Sequence, residues 1–146
     1  MRTIHILLVE DNDGDILLTT EALEERKIVN KISVAKDGQE ALDFIFKNGK
    51  YKEASTPDLV LLDVNLPKKS GHEVLEILKN NEFTKVIPII MLTTSSSEKD
   101  IYKSYKNHAN CYITKPVEAD DFLDAITNIE HFWINIVTLP NVRKTK

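Results

Sequence analysis

The segment "IHILLVEDNDGD", residues 4–15, changes abruptly from a hydrophobic run to a cluster of acidic residues. The hydrophobic part is continuous and rich in aliphatic and β-branched side chains, which favours a β-strand covered on both faces. Four carboxylates then occupy the six positions 10–15, and carboxylates packed this densely repel one another. The segment therefore predicts a buried strand whose carboxyl end carries a charged site.

The same alternation of strand and helix patterns continues along the chain. Continuous apolar runs at 58–62, 87–92 and 110–113 predict buried strands, whereas the alternating segment "KISVA" at 31–35 predicts an edge strand. Segments with helical periodicity follow the strands, the first over about 14–27. Five strands alternating with five helices predict an α/β protein with a doubly wound parallel sheet and right-handed crossovers.

Composition excludes several classes of protein. The 146 residues, 42% of them hydrophobic, predict a single domain with a sizeable core. A formal net charge of −4 and the absence of a long basic run argue against a nucleic-acid surface. No apolar run approaches the roughly 18 residues of a membrane helix, and the N-terminus lacks a cleavable signal, so we expect a cytoplasmic protein. The single cysteine, Cys111, is expected to be a buried structural thiol.

Ligands of open parallel sheets bind at the carboxyl ends of the strands, near the point where strand order reverses. The side chains predicted at that edge are Glu10, Asp11, Asp63, Thr93 and Lys115. The convergence of carboxylates, a hydroxyl and an ammonium group at one edge is the main functional prediction. Gly71 is expected to ease the turn into the third helix.

A bound cation would relieve the repulsion between the carboxylates of the acidic cluster. A calcium-binding EF-hand loop starting at Asp11 would have Ile16 at its glycine position and Ala22 at its glutamate position, so that class is excluded. Mg²⁺ suits the site better, because it uses one or two carboxylates, keeps several waters and leaves room for a phosphate. The remaining acids of the cluster, Asp13 and Asp15, are interpreted as caps of the first helix.

These residues form a complete set for phosphoryl transfer to a carboxylate. Asp63 is predicted to accept the phosphoryl group, while Glu10, Asp11 and the main-chain carbonyl of Asn65 bind Mg²⁺ together with Asp63 itself. Lys115 is predicted to provide a point charge to one phosphoryl oxygen. Thr93 is predicted to donate its hydroxyl to another.

The motifs also resemble a known family, the receiver domain of two-component response regulators. The resemblance is carried by "VED" at 9–11, "LLDVNLPKKSG" at 61–71, "MLTT" at 91–94 and "YITKP" at 112–116, in the order and spacing of that family. Together these motifs place the resemblance over residues 3 to about 130.

The resemblance implies a flavodoxin-like fold with strand order 2-1-3-4-5. It identifies Asp63 as the phosphoacceptor, Thr93 as the switch hydroxyl and Tyr112 as the switch aromatic, and it implies a cis Lys115–Pro116 bond. Phosphorylation would draw Thr93 toward the phosphoryl group and let Tyr112 rotate inward, changing the face formed by the fourth helix, fifth strand and fifth helix. Asn65 and Ser95 flank the path of the hydrolytic water and would tune the lifetime of the aspartyl phosphate.

The chain is divided into a receiver domain at 1–130 and a C-terminal extension at 131–146, with no output domain expected. The extension is rich in hydrophobic residues, which predicts an interface. The interface residues are Phe132, Trp133 and Ile134. The ending "FW…VTLP" resembles that of small regulators paired with phytochrome-type histidine kinases. A homodimer is expected, and the signal would pass to a partner protein such as a histidine phosphotransfer protein.

Other function classes fit less well. A haloacid dehalogenase-type phosphohydrolase would need a second aspartate at position 65, where the chain has Asn65. A flavin carrier would need hydroxyls rather than acids after the first strand. The remaining alternative is a pseudo-receiver that is never phosphorylated and acts as a dimerisation module. The preferred interpretation is a phosphoacceptor that catalyses its own phosphorylation and dephosphorylation rather than a conventional enzyme.

Overall fold

A computed structural model of the chain describes residues 4–25, 31–93, 101, 103, 105–109 and 111–127. These residues contain a five-stranded parallel sheet in the order β2-β1-β3-β4-β5, as predicted. The strands are β1 (His5–Val9), β2 (Lys31–Ala35), β3 (Leu59–Asp63), β4 (Ile89–Thr93) and β5 (Cys111–Thr114).

Helices connect the strands. They are α1 (Asp13–Glu25), α2 (Gly38–Phe46), a short 3₁₀ helix (Gly49–Tyr51), α3 (Gly71–Lys79) and α5 (Ala119–Thr127). Residues 101, 103, 105 and 106 are also helical, and we label this stretch α4. Asp37 caps α2 by accepting from the main-chain N–H of Glu40, and Ser70 with Glu73 forms a reciprocal capping box on α3. No helix among the described residues is long and apolar enough to span a membrane.

The core consists of two layers, one on each face of the sheet. Within β1, Ile6 and Leu8 pack in the layer that contains Leu23 of α1 and Phe122 of α5. Leu7 and Val9 face the opposite layer, formed with α2 and α3. All five residues of β1, β3 and β4 are buried, because helices cover both faces. β2 is partly exposed, as predicted for an edge strand.

The strand boundaries differ from the predicted ones in a way that matters for the site. β3 and β4 each extend one residue beyond the apolar run, so Asp63 and Thr93 are the last residues of these strands. The strand ladder fixes the backbone at both positions, since Val64 N–H, directly after Asp63, donates to the carbonyl of Leu92 at 2.9 Å. Cys111 is half-buried, so the expectation of a buried thiol was wrong in degree.

Candidate functional site

The carboxyl ends of four strands bring together most of the residues predicted from sequence. Glu10 directly follows β1, Asp63 ends β3, Thr93 ends β4, and Lys115 directly follows β5. Glu10, Asp63 and Thr93 are no more than 3% exposed. Since β1, β3, β4 and β5 are consecutive neighbours in the sheet, the four side chains come from adjacent strand ends.

Lys115 lies at the centre of this group. Its Nζ donates to Glu10 Oε1 at 2.7 Å and lies 3.5 Å from Asp63 Oδ2. The side chain is 8% exposed, so the carboxylates rather than bulk water surround the ammonium group. The main-chain N–H of Lys115 donates to the carbonyl of Thr93 at 2.6 Å, and the Lys115–Pro116 peptide bond is cis, as the resemblance implied. β4 and the lysine are therefore joined at the edge of the sheet.

Three carboxylates are placed to share a metal ion. Glu10, Asp11 and Asp63 each offer an oxygen, and these oxygens lie within 4.8 Å of one another. Glu10 and Asp63 are buried, whereas Asp11 is exposed, so the cluster opens to solvent on the side of Asp11. Carboxylate oxygens are the ligands that hard divalent cations prefer. The donor set fits a hard divalent cation.

The electrostatics of the site favour the binding of positive charge. Burial and, after it, the neighbouring charge of Glu10 raise the pKa of Asp63 to about 6, although Lys115 opposes the shift. Burial alone would lower the pKa of Lys115, but its hydrogen bonds to Glu10 and Asp15 raise it above the ordinary value. The ionised form of Asp63 is therefore disfavoured, whereas Lys115 stays protonated.

Gly71 lies against the Asp63 backbone. A β-carbon at this position would lie 2.1 Å from the carbonyl oxygen of Asp63, and the N–H of Gly71 donates to the carbonyl of Val64 at 2.9 Å. The glycine is required by close approach of two backbone segments, because its φ is not in the left-handed region. The expectation that Gly71 eases a turn is replaced by this steric requirement.

The loop after Asp63 is also attached to the start of α2. The N–H of Gly38 donates to the carbonyl of Pro67 at 3.3 Å, and a β-carbon on Gly38 would lie 2.1 Å from the carbonyl oxygen of Lys69. Lys68 Nζ lies 3.5 Å from Asp37 Oδ2. Two glycines therefore let the loop pack closely at both of its ends.

The other predicted residues lie farther from the centre or outside the described part of the chain. Tyr112 is half-buried and packs against the α2–α3 layer, and Asn65 is exposed two residues after Asp63. Their predicted roles in switching, metal binding and hydrolysis stay predictions. Ser95 and the interface residues Phe132, Trp133 and Ile134 fall outside the described residues, as does the extension at 131–146.

The sequence interpretation missed one member of the site, Asp15. Its Oδ2 accepts from Lys115 Nζ at 2.9 Å, although Asp15 was interpreted as a helix cap. The capping oxygen belongs instead to Asn12, whose Oδ1 accepts from the Asp15 N–H at 2.9 Å. A helical side chain leans toward the N-terminus of its helix, and this direction, which brings Asp15 back over the edge of the sheet, could have revealed the contact.

Comparison with known proteins places these features in context. Residues 6–127 match the response regulator receiver domain family. The response regulator Rcp1 of Synechocystis sp. (strain PCC 6803) is 44% identical over 135 residues, which cover 92% of each chain.

Solved structures of similar chains share the fold. The phosphorylated cyanobacterial phytochrome response regulator RcpA is 44% identical with a TM-score of 0.78, covering 94% of this chain and 99% of its own. The bacteriophytochrome response regulator AtBRR is 42% identical with a TM-score of 0.82, covering 91% and 96%. A Mn²⁺-bound form of Rcp1 is 43% identical with a TM-score of 0.76, covering 94% and 99%.

Proposed function

The chain belongs to the response regulator receiver domain family, and from this premise we propose that it accepts a phosphoryl group on Asp63 from a sensor histidine kinase in a Mg²⁺-dependent reaction. The observation that carries the proposal is the arrangement around Asp63. Its carboxylate is buried between the acidic pair Glu10–Asp11 and the ammonium group of Lys115. A pseudo-receiver has no need of such a costly buried group of charges.

In the proposed reaction, an oxygen of the ionised Asp63 carboxylate attacks the phosphorus of a phosphohistidine. The bond between phosphorus and the imidazole nitrogen breaks, and the imidazole keeps the electron pair and takes up a proton. Lys115 is close enough to Asp63 to neutralise charge on a phosphoryl oxygen. Thr93, buried at the end of the adjacent strand, would donate its hydroxyl to another oxygen.

The metal that we propose is Mg²⁺, held by Glu10, Asp11, Asp63 and the main-chain carbonyl of Asn65. When bound, Mg²⁺ supplies positive charge to the oxygens of the transferring group. The similar response regulator Rcp1 has a Mn²⁺-bound form, which supports the proposal of a divalent cation. Glu10 and Asp63 are buried, so both would exclude water from the inner side of that site.

Phosphorylation is proposed to act through Thr93 and Tyr112. The phosphoryl group would draw Thr93 toward itself, and Tyr112 would rotate inward into the space that Thr93 leaves. Tyr112 on β5 pairs with Met91 on β4, and Met91 is two residues before Thr93. A movement at the end of β4 would therefore occur close to Tyr112. A phytochrome-type kinase is the proposed donor, because RcpA and AtBRR are described as phytochrome and bacteriophytochrome regulators. A homodimer and a downstream histidine phosphotransfer protein complete the proposal.

The test is phosphorylation by acetyl phosphate, followed by intact mass with and without Mg²⁺. We expect the gain of one phosphoryl group, dependent on Mg²⁺ and absent in Asp63→Asn. Asp58→Asn is a matched control, because Asp58 is also a buried aspartate but lies before β3, at the opposite edge of the sheet. If neither acetyl phosphate nor a phytochrome-type kinase labels the wild-type protein, the pseudo-receiver alternative replaces the proposal.

A further inference from the structure

Lys115 is shared among three carboxylates, and one of them has no role in the proposed chemistry. Its Nζ lies 2.7 Å from Glu10 Oε1, 2.9 Å from Asp15 Oδ2 and 3.5 Å from Asp63 Oδ2. The first two distances are those of charge-assisted hydrogen bonds, whereas the third is longer. The ammonium group is therefore held on the α1 side of the site and stands back from the phosphoacceptor.

The position of Asp15 follows from the start of α1. Asn12 accepts from the Ile16 N–H through its main-chain carbonyl at 2.9 Å and from the Asp15 N–H through its side chain at 2.9 Å. These two bonds fix the first turn, from which Asp15 reaches Lys115. Asp15 does not belong to the group of acids that can share a metal ion, so a bound cation would leave its contact with Lys115 in place.

A lysine can approach a phosphoryl oxygen only as far as its resting partners allow. Lys115 has three N–H donors, so the position of the ammonium group, not the number of its donors, is what its partners compete for. At present it lies 2.9 Å from Asp15 Oδ2 and 3.5 Å from Asp63 Oδ2. Glu10 is predicted to bind the metal, which reduces its hold on the ammonium group. Asp15, 35% exposed, is then the carboxylate that competes with the phosphoryl group for Lys115.

We propose that Asp15 is a positioning residue that holds the Lys115 ammonium away from Asp63 and thereby weakens the contact of Lys115 with a phosphoryl group. The inference rests on the proposed function, since it concerns the same site. It assigns Asp15 a role in setting how stably the phosphoryl group resides on Asp63. Removal of the Asp15 charge releases Lys115 toward the phosphoryl oxygens.

The experiment measures the affinity of the full chain for beryllofluoride, a reversible phosphoryl analogue, at saturating Mg²⁺ by calorimetry. Asp15→Asn is expected to tighten binding roughly two- to five-fold, the range that one partly exposed ion pair supports. Asp13→Asn is the matched control, because Asp13 lies in the same turn and carries the same charge but pairs with Lys36. Asp13→Asn should leave the affinity within error of wild type.

A double-mutant cycle tests whether Asp15 acts through Lys115. In a Lys115→Met background, Asp15→Asn should change the affinity no more than Asp13→Asn does. A second readout uses metal-free protein, where the urea midpoint of the double variant should differ from the sum of the two single effects. Folding of each variant is verified by that same urea curve.

The outcomes separate the two proposals. If acetyl phosphate labels wild-type Asp63 but Asp15→Asn binds beryllofluoride like Asp13→Asn, the role of Asp15 is wrong and the proposed function stands. An Asp15→Asn effect that persists unchanged without Lys115 also overturns the inference. If the wild-type protein neither becomes labelled nor binds beryllofluoride, the proposed function fails and the inference fails with it.

Discussion

The two edges of the sheet bury charged side chains in opposite ways. The carboxyl edge, which we define as Glu10, Asp11, Asp63 and Lys115, holds three acids close to one another and one ammonium group, which contacts Glu10 and Asp63. The amino edge, defined as His5 and Asp58, joins complementary donors and acceptors, and the His5 ring reaches Ser33 in the middle of β2. At the carboxyl edge Asp63 has a raised pKa, whereas at the amino edge the Asp58 carboxylate accepts from the main-chain N–H of His5.

At the amino edge, Asp58 and His5 exchange two hydrogen bonds. The main-chain N–H of Asp58 donates to the His5 carbonyl at 2.7 Å, and Asp58 Oδ2 accepts from the His5 N–H at 2.8 Å. His5 Nε2 lies 2.9 Å from Ser33 Oγ. Asp58 therefore connects the starts of β1 and β3, and its charge is used to satisfy a buried N–H group.

A buried aspartate can either stabilise the fold through a fixed hydrogen bond or destabilise it until a cation binds. Asp58 stabilises because its charge has a fixed donor. Asp63 stands beside another acid and is only partly compensated by Lys115. Carboxylates with such strongly shifted pKa values cluster at functional sites. A bound cation would offset the free energy that the buried, ionised Asp63 costs.

The largest effect is expected from Lys115→Met in metal-free protein. Removal of the ammonium leaves the buried carboxylates of Glu10 and Asp63 without their cation, which should lower the free energy of unfolding by about 3 kcal/mol. Mg²⁺ should restore part of the loss, because it binds the folded site. Urea unfolding with and without Mg²⁺ measures both effects. A loss that Mg²⁺ leaves unchanged would mean that the damage is not electrostatic.

Asp63→Asn should raise the free energy of unfolding, whereas Lys115→Met should lower it. The pKa of Asp63 in the folded protein, about 6, exceeds its ordinary value of 3.8, so ionised Asp63 disfavours folding at high pH. This cost should disappear as pH falls through 6 toward 4. The variant should therefore be about 1 to 3 kcal/mol more stable than wild type at pH 8, with a smaller gain at pH 5. Equal gains at the two pH values would contradict the assigned cause.

Asp58→Asn makes the same chemical change at the amino edge and should destabilise. The asparagine oxygen can still accept from the His5 N–H, but the bond loses its charge assistance, which costs about 1 kcal/mol. Urea unfolding of Asp58→Asn and Asp63→Asn side by side at pH 8 gives the sharpest form of the comparison. If both variants change the free energy of unfolding in the same direction, the two aspartates do not differ in their effect on stability.

The smallest effect is expected from His5→Gln, read from the pH dependence of stability. Burial, with the nearby charge of Lys31, lowers the pKa of His5 below its ordinary 6.5. The unfolded chain then binds the proton more readily, so His5 costs stability as pH falls below 6.5. Protonation of Asp63 acts in the opposite direction over the same range. Without His5, the free energy of unfolding should rise more, or fall less, between pH 7 and 5. An unchanged pH dependence would show that protonation of His5 does not affect stability.

Much of the fold and the centre of the site could be predicted because both depend on local patterns. Continuous apolar runs identified the buried strands, and parallel pairing then placed the residues at their carboxyl ends together. Glu10, Asp63, Thr93 and Lys115 all lie where that argument put them. The predicted ends of β3 and β4 were one residue too early, because the main-chain ladder includes Asp63 and Thr93 even though their side chains are polar.

Local sequence patterns specify the parallel α/β architecture, the acidic cluster and the candidate phosphoacceptor, since these depend on the order of hydrophobic runs and on residue type. Packing between distant elements sets how Lys115 divides its hydrogen bonds, which include one to Asp15 of α1. It also decided why position 71 is glycine, through the carbonyl of Asp63. These features depend on distances between elements far apart in the chain, and such distances are set by packing rather than by spacing in sequence.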